Sequence, residues 1–255
     1  MRKKRILFCG EATYLNTGYA TYGREVLKRL HATDKYELAE FASYGTGEDP
    51  RSNGIPWMFY PNMPNSKEEQ EQYDSIPTNQ FGEWKFESVL LDFLPDIVFD
   101  IRDFWMFDYQ NRSPYRPYFH WAIMPTVDAA PQNEQWIETF ASADGVFNYS
   151  DWGYEILKSQ SNNTIKCLGS APPSADAAYK PVEDKEAHKE MMGFDKNVKF
   201  VGTVMRNQKR KLFPDLFETF RKFLDASQRK DILLYCHTSY PDLGWDIPKL
   251  LLKNK

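Results

Sequence analysis

Long apolar runs are missing from this chain of 255 residues, as are paired cysteines, phosphate-loop signatures and any large excess of one charge. Each absence removes a class of protein. No stretch approaches the ~18 consecutive apolar residues of a membrane span. The opening Met-Arg-Lys-Lys-Arg is followed by an apolar run over residues 6–9 only, too short for the core of a signal peptide. A cytoplasmic protein without a membrane span is therefore expected. A net charge of −4 supplies no global basic field, so nucleic acid is not an expected partner. The three cysteines, Cys9, Cys167 and Cys236, stand far apart in or beside apolar runs. They read as buried thiols in a reducing compartment, not as disulfides or metal ligands. Gly10, Gly18 and Gly23 do not make G-x-G-x-x-G, and G-x-x-x-x-G-K-[ST] does not occur. A nicotinamide or flavin oxidoreductase and a P-loop enzyme are both disfavoured.

What remains is a globular composition, 42% hydrophobic and 27% charged, with a substantial core to bury. Apolar runs predict strands at 6–9, 36–42, 55–60, 96–101, 118–124, 145–148 and 165–168. Helical periodicity falls between them, from Thr17 to about His31 and over 83–94, 133–141 and 154–159. This alternation predicts an α/β fold, a doubly wound parallel sheet. Between about 170 and 189 the chain turns to Ala, Pro, Ser and charge, with Pro172, Pro173 and Pro181 excluding a continuous helix or central strand. Domains are accordingly expected at 1–178 and 179–255. The second begins with a strand at 199–204, a helix at 214–226, a strand at 231–236 and a helix at 247–253. Too few elements are present there to close a doubly wound sheet.

Two loops carry candidate chemistry. The first joins the opening strand to the first helix, from Gly10 to Tyr19, where exposed helix N–H groups bind anions and Gly18 allows close backbone approach. Its glycines could equally serve a turn and helix packing. The second is Val-Gly-Thr-Val-Met-Arg206-Asn-Gln-Lys209-Arg210-Lys211, just before a helix. Four cations at a helix N-terminus are unfavourable unless an anion arrives, although a solvated basic loop is the plain alternative. On the acceptor side, Asp128 follows a strand through a short loop and His120 lies within that strand. Arg102 and Asp103 occupy a similar strand-end position. A turn or cap, a core histidine and a local salt bridge are their respective structural alternatives. Phe104, Trp105, Phe107 and Tyr109 either stack on sugar faces or form a buried lid, and Trp57, Phe59 and Tyr60 are expected in the core.

The segment from Val201 through Lys211 into Leu-Phe-Pro-Asp-Leu-Phe-Glu-Thr-Phe resembles the donor-phosphate loop and following helix of retaining GT-B glycosyltransferases of the "glycosyl transferases group 1", family-four type. Asn-Thr-Gly18-Tyr-Ala-Thr-Tyr-Gly-Arg is similar to that family's first glycine loop. Met-Pro-Thr-Val-Asp128-Ala-Ala-Pro and Ala-Asp-Gly-Val-Phe-Asn-Tyr-Ser150 are similar to its acceptor-side loop and last N-domain βα unit, and Leu-Tyr-Cys-His237-Thr to its next C-domain strand. The resemblance implies a GT-B-like chain, one complete Rossmann-like domain on the acceptor side and the first part of a second that binds the donor. It implies transfer of a sugar from a nucleotide-diphosphate-sugar donor to the hydroxyl of a glycan or small-molecule acceptor, with retention and without metal or further cofactor. Arg206 and Lys211 would hold the diphosphate and stabilise the leaving group, aided by Thr17 and Gly18. Asp128 would join the catalytic group, with His120 and Arg102 as further acceptor contacts. Family members continue to an E-x7-E-like segment whose glutamates contact the donor sugar and ribose, so a fragment inactive alone is expected. A non-catalytic module binding phosphate or a sugar nucleotide is the alternative. Donor, acceptor and oligomeric state are not specified.

Overall fold

A computed structural model describes residues 2–175 and 178–254. The chain divides into two compact units, Met1–Ser174 and Ala175–Lys255.

The first unit contains β1 (Lys4–Glu11), α1 (Gly18–Ala32), β2 (Tyr36–Ser43), β3 (Met58–Pro61), α2 (Lys67–Ser75), α3 (Glu83–Phe93), β4 (Ile97–Ile101), α4 (Asp108–Asn111), β5 (His120–Met124), α5 (Glu134–Ser142), β6 (Gly145–Asn148), α6 (Asp151–Gln160) and β7 (Cys167–Ser170). Its seven strands form one sheet in the order β3-β2-β1-β4-β5-β6-β7. Every pairing is parallel. Apolar residues face both ways along the central strands because both faces are covered. On one face Leu7, Phe41, Val98, Trp121 and Val146 pack with Phe86 and Phe93 of α3, Phe140 of α5 and Leu157 of α6. On the other, Ile6, Phe8, Leu38, Ile101 and Met124 pack with Leu27 of α1.

Strand positions differ from the sequence reading where side chains or prolines intervene. β3 starts at Met58, not 55, because Trp57 turns inward and donates its indole N–H to buried Glu40 at 2.8 Å. Trp57 is buried, whereas Phe59 and Tyr60 are only half-buried. β5 starts at His120, not 118, because Arg116–Tyr118 forms a 3-10 turn around Pro117. β7 lies at Cys167–Ser170, two residues later than expected, and its register against β6 is irregular. Ser150 caps α6 by accepting from the Gly153 N–H, which starts that helix three residues early.

The second unit contains α7 (Lys185–Met191), β8 (Lys199–Val204), α8 (Phe213–Ser227), β9 (Ile232–His237) and α9 (Ile247–Lys253). β8 and β9 pair in parallel through α8, with Lys199 opposite Ile232. Phe213 and Phe217 of α8 pack with Ile247, Leu234 and Cys236 to make a small core. The opposite face of the two strands, with Phe200, Val204, Leu233 and Tyr235, is exposed. Among the described residues no helix is long and apolar enough to cross a membrane.

A buried ion pair sits under the carboxyl end of β4. Asp100 accepts from Arg102 Nε at 2.9 Å, Trp121 Nε1 at 2.9 Å and Gln110 Nε2 at 3.1 Å, and Arg102 Nη1 donates to the Phe81 carbonyl at 2.7 Å. Both charged side chains are wholly inaccessible. Removing one partner leaves a buried charge uncompensated, so Asp100→Ala should cost about 3–5 kcal/mol. Urea unfolding checks this, and Asp100→Leu combined with Arg102→Met should cost less than the single change.

Candidate functional site

In a parallel sheet the loops at the strands' carboxyl ends face one edge, and ligands enter where neighbouring connections leave in opposite directions. Here that place is between β1 and β4. Three loops meet there. The Tyr19 hydroxyl, at the start of α1, donates to Asp103 Oδ1 at 2.7 Å, beyond β4, and lies 2.8 Å from Thr126 Oγ1, beyond β5. Burial, with the Asp103 hydrogen bond, pushes the Tyr19 phenol above its ordinary range and keeps it a donor. Neither Tyr19 nor Thr126 stood out in the sequence. Their only signal was position, one at the start of the helix that follows β1 and one in the loop that follows β5.

Thr17 is the N-cap of α1; its Oγ1 accepts from the Ala20 N–H at 3.2 Å and also bonds the Glu11 carboxylate. The hydroxyl is therefore engaged within the fold, and Glu11 already brings negative charge to this helix end. Gly18 is exposed with an ordinary φ, and a Cβ there would meet nothing within 4 Å. The chain's own packing does not require glycine at 18. Asp128 is exposed in the loop after β5, on the carboxyl-end side.

Two expected acceptor contacts lie elsewhere. Arg102 is fully buried and spends its guanidinium on Asp100 and the Phe81 carbonyl, so it stiffens the β4 end and presents no surface to a ligand. His120 is the first residue of β5, opposite Ile97 at the start of β4. It is exposed at the amino ends, the side of the sheet away from the crevice, and it is not a core histidine either. Of the aromatics after β4, Phe107 and Tyr109 are buried and Phe104 stacks on Trp136 with centroids 5.3 Å apart. Trp105, 51% exposed, is the member of that set left open for stacking.

In the second unit the basic loop leaves the carboxyl end of β8 and enters α8. Asn207 fixes it. This fully buried side chain donates from Nδ2 to the Trp245 carbonyl at 2.8 Å and accepts the Trp245 N–H at 2.8 Å. The Trp245 indole donates to the Lys209 carbonyl at 3.2 Å, and Lys209 Nζ lies 4.2 Å from the indole centroid. Gly244 allows this approach, since a Cβ would stand 2.2 Å from Asn207 Oδ1 and 2.4 Å from its carbonyl oxygen. The loops after β8 and β9 are thus joined. Arg206 Nε and Nη2 fork onto Asp242 at 3.0 and 3.1 Å. Asp242 also accepts from Ser239 Oγ at 2.6 Å, and Arg206 foremost holds its carboxyl far below the usual range. Within the fold Asp242 supplies one counter-charge to the cluster, and Asp215 stands in the first turn of α8. Lys209–Lys211 forms a 3-10 turn ended by Leu212 at φ 50°, and α8 starts there without a side-chain cap. Arg210 is exposed and Lys211 half-buried beside that uncapped end.

Comparison of the whole chain with solved structures finds the same architecture. The fold is GT-B-like. A protein structure described as "Trehalose-6-phosphate from E. coli bound with UDP-2-fluoro glucose" superposes with a TM-score of 0.60 at 14% identity over 98% of this chain and 69% of that one. The α,α-trehalose 6-phosphate synthase of Burkholderia multivorans gives 0.61 at 10% identity over 100% and 69%. The UDP-GlcNAc 2-epimerase of Methanocaldococcus jannaschii gives 0.56 at 14% over 100% and 68%. This chain spans about two thirds of the length of each. No family model and no curated protein matches it by sequence.

The contact between the joined loops is testable. Gly244→Ala forces Asn207 away from Trp245 and should destabilise the second unit by about 1–3 kcal/mol. Gly202→Ala, where a Cβ meets nothing within 4 Å, should be close to neutral in the same thermal melt.

Proposed function

We propose that the loop 205–212 with the N-terminus of α8 binds the diphosphate of a nucleotide sugar, and that the protein transfers the sugar to an acceptor hydroxyl. The observation that carries this reading is the basic loop itself, held in place by Asn207 at the carboxyl end of a strand in a GT-B-like chain. Cations beside a helix start that has no side-chain cap suit the charge that develops on a β-phosphate as the C–O bond breaks. Lys211 and Arg206 would meet that charge. Arg206 exchanges Asp242 for the diphosphate, so the carboxylate acts as a place-holder that keeps the guanidinium oriented. Asp128, exposed beyond β5, and the Tyr19–Asp103–Thr126 cluster are the groups offered to the acceptor. Retention with the leaving phosphate taking the acceptor proton needs no separate base, and none is assigned. Transferase and epimerase structures share the fold, and those compared include one bound to a UDP-sugar, which supports the donor class.

Titration calorimetry with UDP tests the binding step. Lys211→Ala should weaken UDP at least tenfold, the loss expected for a charge-assisted contact. Arg206→Ala should weaken it less, because the variant no longer has to break the Asp242 pair. Equal affinity in wild type and Lys211→Ala would contradict the proposal. UDP binding without hydrolysis or transfer from a panel of UDP-sugars would favour the non-catalytic binding module.

A further inference from the structure

The short turn after β4 sorts its aromatic residues by direction. Phe104–Met106 forms a 3-10 turn, closed by the Met106 N–H on the Asp103 carbonyl at 3.0 Å and the Phe107 N–H on the Phe104 carbonyl at 3.2 Å. Phe104 goes inward, stacked on Trp136 of α5 and edge-on to Phe107 and Phe140 with centroids 6.2 and 6.0 Å apart. Met106 and Phe107 are buried. Trp105 goes outward and leans on Trp136, centroids 6.4 Å apart, with about half of its surface left open. Its packed neighbours in sequence, Phe104 and Met106, fix the turn that carries it. The Trp105 indole N–H has no partner among the described residues, whereas those of Trp57, Trp84, Trp121 and Trp245 are each given to an acceptor within the fold.

The turn is tied to the crevice. Asp103, two residues before Trp105, accepts the Tyr19 hydroxyl on Oδ1 at 2.7 Å, and its Oδ2 has no partner among the described residues. Asp128 follows the neighbouring strand β5 and is exposed, with no ion pair among the described residues. Positive charge in this part of the chain is already used. Between 100 and 140 stand three arginines and no lysine. Arg102 is wholly buried on Asp100, Arg112 lies between Asp108 and Glu83, and Arg116 pairs with Asp144 at 3.0 Å ahead of β5. What this stretch offers a ligand is an open ring, hydrogen-bond acceptors and negative charge.

We propose that the acceptor is an uncharged oligosaccharide, one sugar ring of which lies on Trp105 while its hydroxyls bond the carboxylates of Asp103 and Asp128. The apolar C–H face of a sugar suits an indole, and a ring already held in direction loses little freedom when it is covered. Carboxylates accept hydrogen bonds from hydroxyls strongly, and they repel a phosphate, sulfate or carboxylate carried by the sugar. That the saccharide is the acceptor rests on the transfer reaction proposed above, whereas its binding involves the first unit alone.

A glycan array probed with the 255-residue protein tests it, followed by calorimetry with the strongest binder. Neutral oligosaccharides should be retained, and their phosphorylated, sulfated and sialylated counterparts bound roughly tenfold more weakly or less. Trp105→Ala should weaken the strongest neutral glycan by about fivefold or more, and Trp105→Phe by less, since part of the ring face remains. Tyr118→Ala removes a ring 79% exposed ahead of β5, at the other edge of the sheet, and should leave the affinity unchanged. No glycan retained, preference for anionic glycans, or equal affinity in Trp105→Ala would overturn the proposal. UDP titration of the same protein separates the two readings. UDP bound with no glycan retained strikes the saccharide site alone, and glycan bound through Trp105 without UDP strikes the donor reading and leaves this site standing.

Discussion

Parallel strand direction is the constraint on which the first unit's chemistry depends. All seven strands point the same way, so every connecting loop that can meet a ligand in the crevice gathers at one edge. That single fact sorts the candidates. Thr17, Gly18, Asp103, Thr126 and Asp128 follow strand ends and share the edge. His120 begins its strand and is carried to the other side. The same constraint operates on the smaller sheet, where the loops after β8 and β9 lie side by side because the two strands are parallel and in register.

Charge is managed differently at the two helix starts. At α1 the positive end is met from inside the fold, by the Thr17 cap and by Glu11 behind it. At α8 the helix begins at a left-handed Leu212 with no side-chain cap, and three consecutive cations precede it. Macrodipole and side-chain charge there have the same sign and repel, which a structural helix start would avoid. Asp242 and Asp215 relieve part of this. An anion of higher charge than one carboxylate would relieve more, and a diphosphate is such an anion.

Much of this was legible in the sequence because periodicity reports burial. The central strands are continuous apolar runs, and the capped helices α1 and α5 begin where Thr17 and Asn133 announce them. The elements not foreseen have caps but no apolar stripe behind them. α2 reads Lys-Glu-Glu-Gln-Glu-Gln-Tyr-Asp-Ser and buries only Tyr73, so no apolar stripe betrays it; its start is set by the Ser66 cap. α7 buries nothing and relies on Asp184 accepting from two backbone N–H groups. The site was less legible than the fold, since side-chain direction is a tertiary property. Arg102 looks like a strand-end ligand contact until Asp100, two residues earlier on the same strand, turns it inward. Asn207 sits inside a conspicuous run of cations, yet its role follows from Gly244 and Trp245, 37 and 38 residues later, which no local pattern connects to it.

The central claim is that the basic loop entering α8 is a diphosphate site. The most direct measurement is an amide NMR titration of the protein with UDP, which locates the ligand without requiring turnover. The account predicts saturable shifts concentrated at residues 205–213, with the Asp242 region following as Arg206 changes partner, and their loss in Lys211→Ala. Saturable shifts elsewhere with residues 205–213 unmoved, or no shifts at all, would contradict it.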